Sequence, residues 1–196
     1  VAMPALLLGG VPFFLLMGFF IVVAAYEYTV MFHSIQIKPS TWITVGGVFL
    51  TLLVRDFYPA FSSLTFTMLV IAALGYHMVA YERGRDQAAL DFAVTVGGLA
   101  YLGWVGAYLL DLRNLPNGGW WVFLVLPATW MADTGAYSIG AAYGRHKLAP
   151  RLSPKKSWEG YWAGVFTGMA VSWPLPTPPG GRWKSPSGRE QPWAWS

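Results

Sequence analysis

The sequence predicts an all-α polytopic membrane protein, a helical bundle of about six transmembrane segments. Composition is the first reason: of 196 residues 55% are hydrophobic and only 11% charged, more apolar matter than one soluble core hides. Spacing is the second, because long apolar stretches alternate with short charged connections. The third is placement, since the basic residues gather at the ends of the apolar stretches. The formal net charge of +4 would suit an acidic or nucleic-acid partner in a soluble chain. Here membrane orientation accounts for it, and no nucleic-acid partner is expected.

The segments fall at roughly 5–25 or 11–31, 41–54, 60–80, 88–110, 119–143 and 158–173, at about 20 apolar residues per crossing. The first, "VAMPALLLGGVPFFLLMGFF", runs into a long apolar stretch with no basic n-region and no small-residue cleavage site before the next polar loop, so it reads as membrane helix rather than signal peptide. Gly9 and Gly10 separate a helix stub from a span beginning at Val11. The second segment, "TWITVGGVFLTLLV", is short for a crossing. If residues 145–156 face the cytoplasm, alternation puts Lys38, Arg83, Arg85, Arg145, Lys147, Arg151, Lys155 and Lys156 inside and, before the last segment, only Arg55 and Arg113 outside, while Arg182, Lys184 and Arg189 in the tail break the pattern if the last segment crosses. That bias supports the spans.

Residues 1–173 read as one transmembrane domain. Residues 174–196, "PLPTPPGGRWKSPSGREQPWAWS", are rich in Pro, Gly, Ser and Trp without apolar period, the mark of a disordered or non-native end. A reading-frame error or truncation near residue 172 and a natural disordered tail are the two readings. Gly160, Gly164 and Gly168 form two consecutive GxxxG steps and Gly140 with Gly144 another, a pattern that lets helices approach closely.

The absence of cysteine excludes disulfides and thiolate metal sites, and His33, His77 and His146 have no metal-ligand spacing. His77 reads as a hydrogen-bonded core group, and Asp91 and Asp111 as helix-end acids satisfied by interfacial solvent. Asp133, in "PATWMADTGAYSIGAAYG", is different. An ionised carboxylate at the centre of a span costs about 2.5–3.5 kcal/mol on insertion scales, so something must compensate it. A bound cation, a lysine or a water-filled cavity would do so, and Mg²⁺ favours such oxygen ligands. The alternative is a helix-breaking cap ahead of Thr134 and Gly135. On a continuous helix Asp133, Tyr137 and Gly140 share one face.

Residues 145–156 carry five of the thirteen Lys and Arg residues. Ser153-Pro154 reads as a helix start, with Ser at the N-cap and Pro at the first position, placing Lys155 and Lys156 in a first turn suited to phosphate. A plain basic anchor on lipid phosphates is the competing reading.

"WMADTGAY" followed by "GRHKLAPRLSPKKSWEG" resembles the phosphatidate cytidylyltransferase family, the CDP-diacylglycerol synthases, over residues 127–165, with "AAYEYTVMF" a looser match earlier. The resemblance implies transfer of CMP from CTP to phosphatidate at a Mg²⁺ site in a bacterial inner membrane, with the basic loop cytoplasmic. It implies catalytic roles for Asp133, Lys155 and Lys156, with Asp133 on the metal and Ser153, Lys155, Lys156 and Glu159 at the nucleotide and its phosphates. The family's later Lys-Arg, Lys-Asp, His-Gly-Gly and Asp-Arg-x-Asp elements do not follow Ser172, so part of the metal site and weak activity are what these residues are expected to hold. A CTP-dependent lipid kinase, a related lipid cytidylyltransferase and a small cation-coupled transporter using Asp133 are the alternatives; the transporter gives no account of "SPKKSWEG". Whether the protein forms a homodimer stays open.

Overall fold

The computed structural model describes residues 9–151 and 153–172 and, as backbone alone, residues 182–184 and 190–192. It divides into two compact units with the boundary between Leu115 and Pro116.

In the first unit, α1 (Gly10–Ser34) is apolar on every side, as a helix surrounded by lipid and neighbours should be. It ends where Gln36 takes a left-handed φ of 67°. Ser40 starts α2 (Thr41–Phe57), its side chain accepting from the Ile43 N–H at 3.5 Å. At 17 residues α2 is about 25 Å long, short of a bilayer core as the sequence indicated. A 3₁₀ turn, Pro59–Phe61, leads into α3 (Ser62–Glu82), which stops at Gly84 with φ 90°. The next segment, read as one span, is one span of 27 residues built from α4 (Ala88–Gly98), a π-helical stretch (Leu99–Val105) and α5 (Tyr108–Asn114). Glycine explains how this rod is pressed against its neighbours. A Cβ on Gly98 would lie 2.8 Å from Thr44 Cγ2 and 2.9 Å from Tyr28 Cε1.

The two ends of this unit are fastened differently. At one, the buried Asp91 carboxylate accepts from Arg85 Nε at 2.7 Å and from the Lys38 backbone N–H at 2.7 Å, while Arg85 Nη2 donates to the Gln36 carbonyl at 2.8 Å. Asp91 is 2% exposed, so solvent does not satisfy it as expected; Arg85 and a loop amide do. His77 is a hydrogen-bonded core group as read, its Nε2 3.0 Å from Thr95 Oγ1. At the other end Arg55 donates twice to Asp111 Oδ2, at 2.9 and 2.7 Å, and stacks over Trp104 and Tyr108. Asn114 bonds Asp56 there at 2.7 Å. The connections holding Lys38, Arg83 and Arg85 thus meet at one end, and those holding Arg55 and Arg113 at the other, the grouping that alternation predicts.

In the second unit, Asn117 opens α6 (Gly118–Tyr143), an unbroken helix despite Pro127. Two short strands, β1 (Lys147–Ala149) and β2 (Ser153–Ser157), lead into α7 (Trp158–Ser172). In the tail expected to be disordered or non-native, the backbones of β3 (Arg182–Lys184) and β4 (Glu190–Pro192) pair antiparallel, with Arg182 opposite Pro192. The rest of that expectation lies outside the described residues.

Among the described residues three stretches are long and apolar enough to cross a membrane: Gly10–Ser34, Pro59–Glu82 and Ala88–Asn114. The chain is therefore a helical integral membrane protein by length and composition. α2 and α7, of 17 and 15 residues, are too short to count, and α6 carries Trp, Thr, Gly and Asp133 through its length.

Candidate functional site

The second unit is organised by close packing of α6 on α7. A Cβ on Gly160 would lie 2.7 Å from the Ala136 carbonyl, one on Gly164 2.9 Å from that of Ala132, and one on Gly168 3.2 Å from Ala132 Cβ. The partners descend along α6 as the glycines ascend along α7, so the helices are antiparallel and meet through small residues. The GxxxG reading of Gly160, Gly164 and Gly168 is the packing seen. Beside this seam an open groove of ≈ 620 Å³ is lined by Ala128, Ala132, Gly164, Val165, Gly168 and Met169 among others.

The turn between the two helices carries the cations. β1 and β2 pair antiparallel, Lys147 opposite Ser157 and Ala149 opposite Ser153. Between those two pairs β2 has two more residues than β1, so Pro154, Lys155 and Lys156 bulge out of the ladder. This corrects the helix start read at Ser153-Pro154. Pairing with β1 holds these residues extended, and the helix begins only at Trp158. Its cap is Ser157, which is 4% exposed and whose Oγ accepts from the Gly160 N–H at 3.2 Å. Lys155 and Lys156 are consequently exposed strand residues, and the helix-terminus argument for phosphate binding does not apply to them. What remains is charge. Arg145, Lys147, Arg151, Lys155 and Lys156 are all exposed, and none forms an ion pair among the described residues.

Glu159, in the first turn of α7, faces back to the start of the hairpin. Its carboxylate accepts from the His146 backbone N–H at 3.2 and 3.3 Å and from His146 Nδ1 at 2.7 Å. The Trp158 N–H also donates to the His146 carbonyl at 2.9 Å. A sequence reading that assigns His146 no role misses this pair, whose only signal is an acid two residues after the hairpin's second strand.

The structure gathers Ser153, Lys155, Lys156 and Glu159 at one end of the second unit but leaves Asp133 apart from them. α6 runs unbroken through Asp133, and the Thr134 hydroxyl donates to the Trp130 carbonyl at 2.8 Å, so Asp133 is no helix-breaking cap. Ten residues separate it from Tyr143, about 15 Å along the axis. Asp133 and Tyr137 are exposed on the second unit, while Gly140, on the same face, packs against Ser157 Oγ and Gly160.

Without a substrate's phosphates this donor set is too small to hold a metal. Mg²⁺ takes six oxygen ligands, commonly one or two protein carboxylates with the rest from water and substrate phosphates. No group of three or more His, Asp or Glu residues that would hold a metal occurs among the described residues, and Glu159 is already committed to His146. Asp133 is at most one ligand of such a site.

The chain matches the model of the Cytidylyltransferase family over residues 1–176. Several bacterial proteins named phosphatidate cytidylyltransferase are similar to it. The one from Pseudomonas aeruginosa is 48% identical over 62 residues, 32% of this chain and 22% of that protein. The one from Mycobacterium tuberculosis is 39% identical over 56 residues, 29% of this chain and 17% of that protein. With the one from Mycobacterium leprae the match is longer and weaker, 24% over 147 residues, or 68% of this chain and 47% of that protein. The matched stretches thus span less than half the length of these relatives. No solved structure gives a significant match.

Proposed function

We propose, on the premise that this chain belongs to the cytidylyltransferase family, that it takes part in transfer of CMP from CTP to phosphatidate, giving CDP-diacylglycerol and pyrophosphate. A phosphate oxygen of phosphatidate attacks the α-phosphorus of CTP, and the bond from that phosphorus to the bridging oxygen of the β-phosphate breaks. Both reactants are anions, so the protein's contribution is to offset their repulsion and to orient the attack.

The exposed, unpaired cations of the hairpin carry this reading. Lys155 and Lys156, bulged from the ladder, are assigned to the CTP phosphates with Ser153 beside them. The apolar groove along α6 and α7 suits an acyl chain of the lipid substrate. Asp133 is assigned to a Mg²⁺ site whose remaining ligands the described residues do not supply, so no step is derived through that ion. In this reading residues 1–173 form one domain of about six segments in a bacterial inner membrane, with the hairpin on its cytoplasmic side, where a water-soluble nucleotide and a membrane lipid meet.

The test is turnover of α-labelled CTP and phosphatidate in mixed micelles by the protein in its natural full length, with the lipid product and pyrophosphate both quantified. Lys155→Ala and Lys156→Ala are expected to raise KM for CTP or lower kcat, each by about tenfold or more for loss of a charged phosphate contact. Asp133→Asn is expected to abolish turnover while the protein still accumulates in the membrane. Labelled CDP with a phosphorylated lipid would instead identify a CTP-dependent lipid kinase, and unchanged kinetics in both lysine variants would return the hairpin to anchoring on lipid phosphates.

A further inference from the structure

Residues 145–156 place five cations within twelve positions, and Glu159 is the one acid from Arg145 through Glu159. Left alone, such a segment repels itself and opens. The hairpin's own ladder is too short and too irregular to prevent this, with two matched pairs around a bulge among the described residues. The fastening lies just outside the strands. His146 precedes β1, Glu159 follows β2, and they meet through three groups of His146: its backbone N–H and Nδ1 on the Glu159 carboxylate, and its carbonyl under the Trp158 N–H.

We infer that His146 and Glu159 act as one bracket that closes the base of the basic hairpin, so that Glu159 is a positioning residue and not a ligand of the nucleotide. A carboxylate is acceptor-only, which fixes the proton on His146 Nδ1 in either charge state of the ring and leaves Nε2 free. The bracket therefore survives deprotonation of the imidazole. An exposed ion pair alone contributes little, and the imidazole is 80% exposed. Here the same carboxylate also takes a backbone amide, and its own helix is anchored by buried Ser157 and by the seam of small residues below. Ordering therefore falls on one short residue, His146, and the attached strand follows.

The bracket rests on the nucleotide reading only for what the hairpin holds, and two measurements on the purified chain in detergent keep the two apart. The first is hydrogen–deuterium exchange without ligand. Glu159→Ala and His146→Ala are each expected to speed exchange across residues 147–157 by about tenfold, with the double variant no faster than either. Amides of residues 161–171 should be unchanged, which shows that α7 remains folded, and Glu159→Gln, which keeps an acceptor, should recover most of the protection. Unchanged hairpin exchange in Glu159→Ala, or full additivity in the double variant, overturns the bracket. The second is equilibrium dialysis against CTP. Weaker binding in Glu159→Ala with recovery in Glu159→Gln supports a positioning role. Weaker binding while hairpin exchange stays unchanged makes Glu159 a direct ligand and overturns it. If the unsubstituted chain binds no CTP the nucleotide reading falls, and the exchange data still decide the bracket.

Discussion

Asp91 shows how a single carboxylate sets the geometry of an entire helix end. It is buried, yet each of its oxygens is used: Oδ1 by the Lys38 amide and Arg85 Nη2, Oδ2 by Arg85 Nε. Removing it orphans a guanidinium and a loop N–H together. Breaking a buried pair costs about 3–5 kcal/mol, but Arg85 is 27% exposed and regains some water, so about 2 kcal/mol is the expected loss for Asp91→Ala. Asp91→Asn keeps an acceptor for Lys38 and should lose about half as much. Thermal unfolding of the detergent-solubilised protein orders the two variants; equal losses would mean that the charge alone matters. In the sequence Asp91 looks like any acid near a helix end. Nothing local says that a loop more than fifty residues earlier folds over it. Asp133 is the opposite case. An acid inside an apolar stretch was legible at once, and so was its shared face with Tyr137, but its ligand role depends on groups that the described residues do not provide.

Among the elements, α6 and α7 were legible because glycine at every fourth position has one common use in a membrane helix, close approach. The carbonyl of Ala132 leaves no room for a Cβ on Gly164, and backbone cannot step aside cheaply. Gly164→Ala is accordingly expected to cost about 1–3 kcal/mol by overpacking despite the better helix propensity of alanine. Gly75→Ala in α3 is the control. A Cβ there meets nothing within 4 Å, so the propensity gain of up to about 1 kcal/mol should appear as unchanged or raised thermal stability. A loss at Gly75 equal to that at Gly164 would refute the packing account. The hairpin was misread for an equally physical reason. Ser-Pro is a good helix opening by local preference, but Ser153 and Ser157 pair with Ala149 and Lys147, which holds the segment between them in the hairpin. Tertiary pairing overrode propensity, and the cap moved four residues on, to Ser157. The π-helical stretch in the fourth segment carries no sequence signal beyond its glycines.

At the scale of the whole chain the strongest regularity is which cations share a side. Within the first unit the structure groups Lys38 with Arg85 and Arg55 with the α5 end, as alternation in direction along its successive helical segments requires. We propose that the hairpin is cytoplasmic, because alternation in the sequence assigns it to the side of Lys38 and Arg85, eight cations against two before the last segment, a bias of the kind that orients helices with their basic loops in the cytoplasm. The chain has no cysteine, so a single introduced thiol reports its own location without further engineering. Ser153 suits this because it lies in the hairpin among the cations yet takes no part in the His146–Glu159 contacts. Ser153→Cys should resist a membrane-impermeant maleimide added to intact cells and react fully once the membrane is opened. A cysteine at Asn114, on the opposite end of the first unit, should label from outside in both conditions. Reaction of the Ser153→Cys thiol in intact cells would reverse the orientation, separate the hairpin from cytoplasmic CTP and remove the nucleotide reading, however well the cations suit phosphate.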